Sequence, residues 1–344
     1  SETNTLVVVA GKTPEAVQNG VYGLLEALGY GFYTTQETVP DVFTDIPSLE
    51  LPRFAASVTP VFSVRGALPA YDYLMGHATW EIEDYKAYID ALARMRMNLV
   101  TFYVRDDQPY AAYEFDGDLV AGEPLPNLAS GRWNVDPMPT SEFYAGTGRF
   151  YGRETFGAAA SFVEERRPAI EQAKAVLREA IGYAKSRSLD VGVGFEVKGD
   201  ALDPAVRERF DARLRSVLQD YPQIDCLWLW QPEGRGMFPG EDPEPRSPWA
   251  SYANRWSGVF EDVGDARRRA EAARMVLFAM HGKQLLEALR PDVRLVVSGW
   301  GGDAWLRCTD LYPGMDALLP KDVVLSGLDN LWMTPNISSV YDRV

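Results

Sequence analysis

Six carboxylates stand where strand-like runs of this sequence end: Asp106 and Asp107 after 98–104, Glu196 in 190–197, Glu233 after 224–231, Asp303 after 293–299 and Asp329 after 322–328. Acids drawn from distant parts of a chain to the C-terminal strand ends of one parallel barrel converge in space. A converging pair can cleave a glycosidic bond. One carboxyl, held protonated, gives its proton to the bridging oxygen, and the other, ionised, serves as base or nucleophile. Glu233 suits the first role. It ends Ile-Asp-Cys-Leu-Trp-Leu-Trp-Gln-Pro-Glu, where Trp228, Trp230, Pro232 and the later Met237 offer an apolar setting that would keep a carboxyl protonated toward neutral pH. Asp303, in Ser-Gly-Trp-Gly-Gly-Asp, and Asp329, in Gly-Leu-Asp-Asn-Leu-Trp, are candidates for the second, since either could hold the attacking water. Taken singly, an acid after a strand is more often a helix N-cap or an ion-pair partner. Glu196 has the particular alternative of pairing with Lys198 or Arg235.

Tryptophans strengthen the sugar reading. Of the nine in the chain, Trp228, Trp230, Trp300, Trp305 and Trp332 gather around the last three strand-like runs. The C–H faces of a pyranose stack on indoles, so Trp230, Trp300 and Trp332 join Asp106, Asp107 and Glu196 as candidate substrate-binding residues. The alternative for Trp228 or Trp230 is that it fills space between strands and helices.

Other chemistries find little equipment. With His77 and His281 as the only histidines, neither a histidine metal cluster nor a Ser-His-Asp triad is expected, and no Gly-x-Ser-x-Gly elbow or phosphate-binding Gly-rich loop occurs. No metal or cofactor is expected. Cys226 and Cys308 make no disulfide framework and read as small buried hydrophobes. The 34 basic against 49 acidic residues leave a net charge of -15, which disfavours nucleic acid and anionic membrane as partners. No apolar run approaches the roughly 18 residues a membrane helix needs. The expected partner is an oligosaccharide or polysaccharide substrate. The oligomeric state is left open. A secreted or periplasmic location is expected, with the cytoplasm as the alternative.

The acids need a frame. Strand-like runs at 62–68, 98–104, 190–197, 224–231, 293–299 and 322–328 alternate with helical patterns at about 80–96, 165–187, 204–219 and 265–289. This rhythm predicts a (β/α)8 TIM barrel over residues 59–344, C-terminally incomplete with about six strands, since a whole barrel runs to about 250 residues or more. Residues 1–58 read as part of a small α/β domain. Residues 5–10 are its strand, and Thr13-Pro14-Glu15 starts a helix carrying Val17, Val21, Leu24, Leu25 and Leu28 until Gly29. Two long connections, 105–161 and 232–260, leave strand ends on the site face and are expected to wall a cleft.

Two stretches carry a family resemblance: Ala10-Gly-Lys-Thr-Pro-Glu-Ala-Val-Gln-Asn-Gly-Val-Tyr-Gly-Leu-Leu-Glu-Ala-Leu-Gly-Tyr-Gly-Phe-Tyr33 and Pro60-Val-Phe-Ser-Val-Arg-Gly66. They resemble the second half of the small α/β domain, and the Phe-x-x-Arg-Gly opening of the first barrel strand, in family 20 hexosaminidases and family 67 α-glucuronidases. The resemblance covers about residues 5–105, and beyond them only the order of strands. It implies an exo-acting glycosidase and a role for Arg65 in gripping sugar hydroxyls, against which stands an ion pair with Asp72. Family 20 uses an Asp-Glu pair after the fourth strand, whereas Pro232 precedes Glu233 here, so substrate-assisted cleavage is not expected. Glu233, Asp303 and Asp329 follow the order that family 67 uses, which implies an α-glucuronidase-like enzyme. The alternatives are a β-N-acetylhexosaminidase-type enzyme and a non-catalytic carbohydrate-binding barrel.

Overall fold

The computed structural model describes residues 6–34, 36–40, 57–69, 77, 80, 82–104, 109–120, 166–231, 248–300 and 308–328. The first helix, α1 (Pro14–Ala27), starts as its sequence dictates. Thr13 is the N-cap, its hydroxyl accepting from the Ala16 amide at 3.1 Å, and Pro14 fills the first turn, where no N–H is needed. Gly29 leaves the helix at φ 95°, a left-handed conformation that suits glycine. β1 (Gly31–Phe32) and β2 (Glu37–Thr38) pair antiparallel. The strand expected at 5–10 is not formed among the described residues. Residues 6–10 form no regular element, and the Val9 side chain sits over Gly20 of α1.

The rest alternates strand and helix: β3 (Gly66–Ala67), α2 (Ile82–Arg94), β4 (Leu99–Tyr103), β5 (Tyr113–Phe115), β6 (Asp118–Val120), α3 (Arg166–Ser186), β7 (Asp190–Glu196), α4 (Pro204–Asp220), β8 (Cys226–Trp230), α5 (Pro248–Arg255), α6 (Ala266–Leu289), β9 (Arg294–Trp300), α7 (Cys308–Leu318) and β10 (Val324–Leu328). Six strands form one curled, all-parallel sheet in the order β10-β9-β8-β7-β4-β3, the half-barrel arrangement of a (β/α)8 fold. The first strand is shorter than its pattern: pairing is confined to Gly66 and Ala67.

Period-two alternation divides the sheet's residues between two faces. Val100, Phe102, Val191, Val193, Phe195, Leu227, Leu229, Leu295, Val297 and Leu325 join the core shared with the helices. Tyr103, Trp228 and Trp230 form a separate cluster on the concave face, with Leu68 packed against it. The long insertion after β4 begins with a hairpin where only a cleft wall is expected. β5 and β6 turn through Asp116 and Gly117, both at positive φ (52° and 84°), which is what an Asp-Gly turn supplies.

Candidate active site

β7 and β8 place the described part of the site at their C-terminal ends. In register, Glu196 lies beside Trp230, and Trp230 beside Ser298 of β9; one layer below, Tyr103, Gly194, Trp228 and Val296 stand side by side. The glycines in β7 make room for indoles. A Cβ on Gly192 would lie 2.7 Å from Trp228 Nε1, and one on Gly194 would collide with Trp230. The two indoles stack at 5.4 Å and 16°, and Tyr103 meets Trp230 edge-on at 5.3 Å. Trp230 is fully buried, so it backs the platform and offers no face to a sugar. Trp228 is partly exposed, and its indole N–H has no hydrogen-bond partner among the described residues.

Glu196 is buried, and its carboxylate meets the Lys198 ammonium at 3.1 Å, the pairing its sequence position offered. Lys198 is half-exposed at the barrel mouth. Behind the same strand ends, Tyr252 of α5 hydrogen-bonds Asp200 through its hydroxyl and accepts from the Leu202 amide at 3.0 Å, tying α5 to the loop after β7. Burial, then the Asp200 carboxylate, raises the Tyr252 phenol far above its ordinary range, so it remains a neutral donor. Ser298 Oγ and Tyr312 Oη of α7 both donate to the Ser326 carbonyl, at 2.8 and 2.6 Å, and join β9, α7 and β10.

His77 lies under this end of the sheet, fully buried among Tyr85, Phe102 and Tyr110. Its Nε2 is 2.7 Å from the Tyr103 carbonyl, which can only accept, so Nε2 carries the proton, and the Tyr85 hydroxyl, 3.2 Å from Nδ1, donates its proton to the His77 backbone carbonyl at 2.9 Å. Burial lowers the imidazole to about 4, against which the Tyr103 bond acts only partly. No motif in the chain marks this role. A lone histidine shortly after the first strand is the whole signal.

Arg65 does not join these residues. Gly66, its neighbour, pairs with Leu99 at the start of β4, which puts Arg65 at the opposite, N-terminal end of the sheet. There its guanidinium donates to Glu15 of α1 (3.0 Å) and to the carbonyls of Phe62 (2.8 Å) and Arg96 (3.0 Å), while its amide donates to Asn98 Oδ1 (2.7 Å). The expected ion-pair alternative, Asp72, lies outside the described residues, as do Asp106, Asp107, Glu233, Asp303, Asp329 and Trp332. Trp300 closes β9. Among the described residues, no cluster of histidine, cysteine and carboxylate side chains could hold a metal ion, and no helix is long and apolar enough to cross a membrane.

No family model matches the chain and no curated protein matches it. Solved structures resemble it distantly. Two are of the pneumococcal exo-β-D-N-acetylglucosaminidase StrH, which carries tandem catalytic modules of glycoside hydrolase family 20. They are 12% and 11% identical with TM-scores of 0.38 and 0.40, each covering 80% of this chain and 62% of that one. A third is a family 138 glycoside hydrolase targeting the pectin rhamnogalacturonan II, 12% identical with a TM-score of 0.40, covering 91% of this chain and 29% of that one. This chain thus spans less than two thirds of each of these structures. Likeness at such TM-scores decides nothing about activity.

Proposed function

We propose that the chain is the greater part of a glycoside hydrolase barrel that removes a terminal sugar from a glycan by two-carboxylate acid–base catalysis. The observation that carries this reading is the concave face. A partly exposed indole, Trp228, stacks on Trp230, which lies in the same layer as the buried carboxylate of Glu196. An apolar plate beside polar groups suits a pyranose, whose ring faces are apolar and whose edges carry hydroxyls.

In this reading Glu233, following β8, protonates the glycosidic oxygen as the C–O bond breaks, and the aglycone leaves as an alcohol. Asp303 or Asp329 takes the proton of the water that adds to the anomeric carbon. Glu196 and Trp228 hold the sugar. The order of these acids along the strands favours α-glucuronidase-like specificity. The test is turnover of a panel of 4-nitrophenyl glycosides, including the α-D-glucuronide and the N-acetyl-β-D-glucosaminide. Glu233→Gln should abolish cleavage with the fold retained. A wild-type rate in that variant overturns the assignment, and sugar binding without product from any member supports a carbohydrate-binding barrel instead.

A further inference from the structure

β7 does not end on ladder bonds alone. The Val197 amide donates to the Trp230 carbonyl at 2.9 Å. In a parallel ladder the carbonyl of that same residue turns to the amide two positions further along the neighbouring strand. That position in the sequence is Pro232, which has no N–H to give. The Val197 carbonyl is taken instead by Nη1 of Arg274, from α6, at 2.7 Å. One residue earlier, the Glu196 carbonyl accepts from Nη1 of Arg213, from α4, at 3.2 Å.

Both arginines are buried, Arg274 completely. Arg274 Nε is held by the buried Glu271 carboxylate at 2.9 Å, and the Arg213 guanidinium lies over the Phe195 ring at 4.2 Å. Keeping guanidinium groups out of water is unfavourable unless their bonds are well made. Here those bonds converge on two successive carbonyls at the end of one strand. Glu196, between Phe195 and Val197, points its carboxylate to the other face of the sheet, against Lys198.

We infer that Arg213 and Arg274 are positioning residues that fix the end of β7 and thereby set the Glu196–Lys198 pair at the barrel mouth. Arg274 of α6 replaces the ladder donor that Pro232 withholds, and Arg213 of α4 holds the preceding carbonyl. The inference rests on reading the concave face as the sugar site. Misplacing a substrate-holding carboxylate by about 1 Å costs a large factor in efficiency, so the two guanidinium groups act on substrate without touching it.

The test needs no sugar. Lysines are reductively methylated with 13C, and the Lys198 signal is assigned by its loss in Lys198→Arg. Glu196→Gln gives the position of that signal without the ion pair. In the double variant E271Q/R274Q, which removes the buried pair without stranding a charge, the Lys198 signal should move at least half of the way to the Glu196→Gln position. Arg213→Gln, a smaller perturbation, should move it in the same direction. A Lys198 signal unmoved in whichever of these variants is folded overturns the inference, since a merely stabilising arginine would leave it in place. If a glycoside from the panel is cleaved, both variants should raise KM about 10-fold with kcat held within about 2-fold, the pattern of lost uniform binding. Failure of the glycosidase reading leaves the NMR result standing, and an unmoved signal leaves that reading standing.

Discussion

Gly194 of β7 lies directly against the indole of Trp230 on the neighbouring strand, so a side chain at one excludes the present position of the other. The conflict extends to Trp228, whose Cβ would sit 2.5 Å from a Cβ on Gly194. Gly194→Ala should therefore push the stacked pair off its seat and destabilise the protein by about 1–3 kcal/mol, the usual result of overpacking. Urea unfolding followed by tryptophan emission reads both effects: a lower midpoint and an emission maximum already altered in the native baseline. An unchanged midpoint and spectrum would show that the pair does not depend on the β7 glycines.

Arg65 docks α1 onto the base of the barrel. It works beside two further ion pairs across the same boundary, Glu26 with Arg96 and Glu37 with Arg94. All three pairs are partly exposed, so each contributes at most about 1 kcal/mol, and less as salt rises. Arg65→Ala also removes donors to the Phe62 and Arg96 carbonyls, and should cost about 1–2 kcal/mol in total. Hydrogen exchange should speed up in α1 and stay slow in β4 and β7. Catalytic efficiency on any cleaved glycoside should be unaltered. A large rise in KM with α1 still protected would return Arg65 to the substrate.

The four long helices of the barrel are legible in the sequence as long runs of helix-forming residues, and two of them open on a clear signal. Asp203 and Asp265 cap α4 and α6, and Pro204 opens α4. The central strands are legible as apolar runs, and Pro232 is visible as the residue that sets Glu233 apart. Contact between distant parts of the chain is not legible. The partners Glu15 and Arg65, or Arg274 and Val197, carry no local mark of each other. Arg274 does leave a trace: it is a lone charge in Ala-Ala-Arg-Met-Val-Leu-Phe, and with Glu271 it is one of two charged residues among the buried positions of α6. Residues 6–10 mislead in the opposite way. Their composition suits a strand, but a strand forms only with a partner, and their neighbour among the described residues is α1.

Cys226 reads from its sequence position as an inert hydrophobe, and its surroundings account for that. It opens β8 almost fully buried, and burial pushes its thiol up to about 11, with Arg294 drawing it part of the way back. Iodoacetamide at pH 8 should leave Cys226 unmodified in the native protein for hours and alkylate it within minutes in urea, as read by peptide mass mapping. Rapid native alkylation would mean that the base of β8 opens readily.

His77 makes stability depend on pH in a defined window. Its folded pKa, about 4, lies below the ordinary 6.5 because burial disfavours the imidazolium, so between those values the unfolded chain binds a proton that the folded one refuses. The contribution is fully present above about pH 6.5. It is lost as pH falls, at up to about 1.4 kcal/mol per pH unit, and reaches roughly 3 kcal/mol near pH 4. Carboxylates paired in the fold, such as Asp322 with Lys283, whose ion pair holds Asp322 below its ordinary range, lose their contribution only as pH drops further. The histidine is therefore separable from them by window and by substitution. His77→Gln keeps a side-chain donor for the Tyr103 carbonyl and does not titrate. Its stability at pH 7 should fall by about 1–2 kcal/mol for imperfect packing among Tyr85, Phe102 and Tyr110. Between pH 6.5 and 4.5 it should then lose less stability than the wild type, and the two curves should converge. Urea midpoints measured at half-unit steps check this. Parallel curves across the window would show that His77 takes up its proton in the folded state as easily as in the unfolded one.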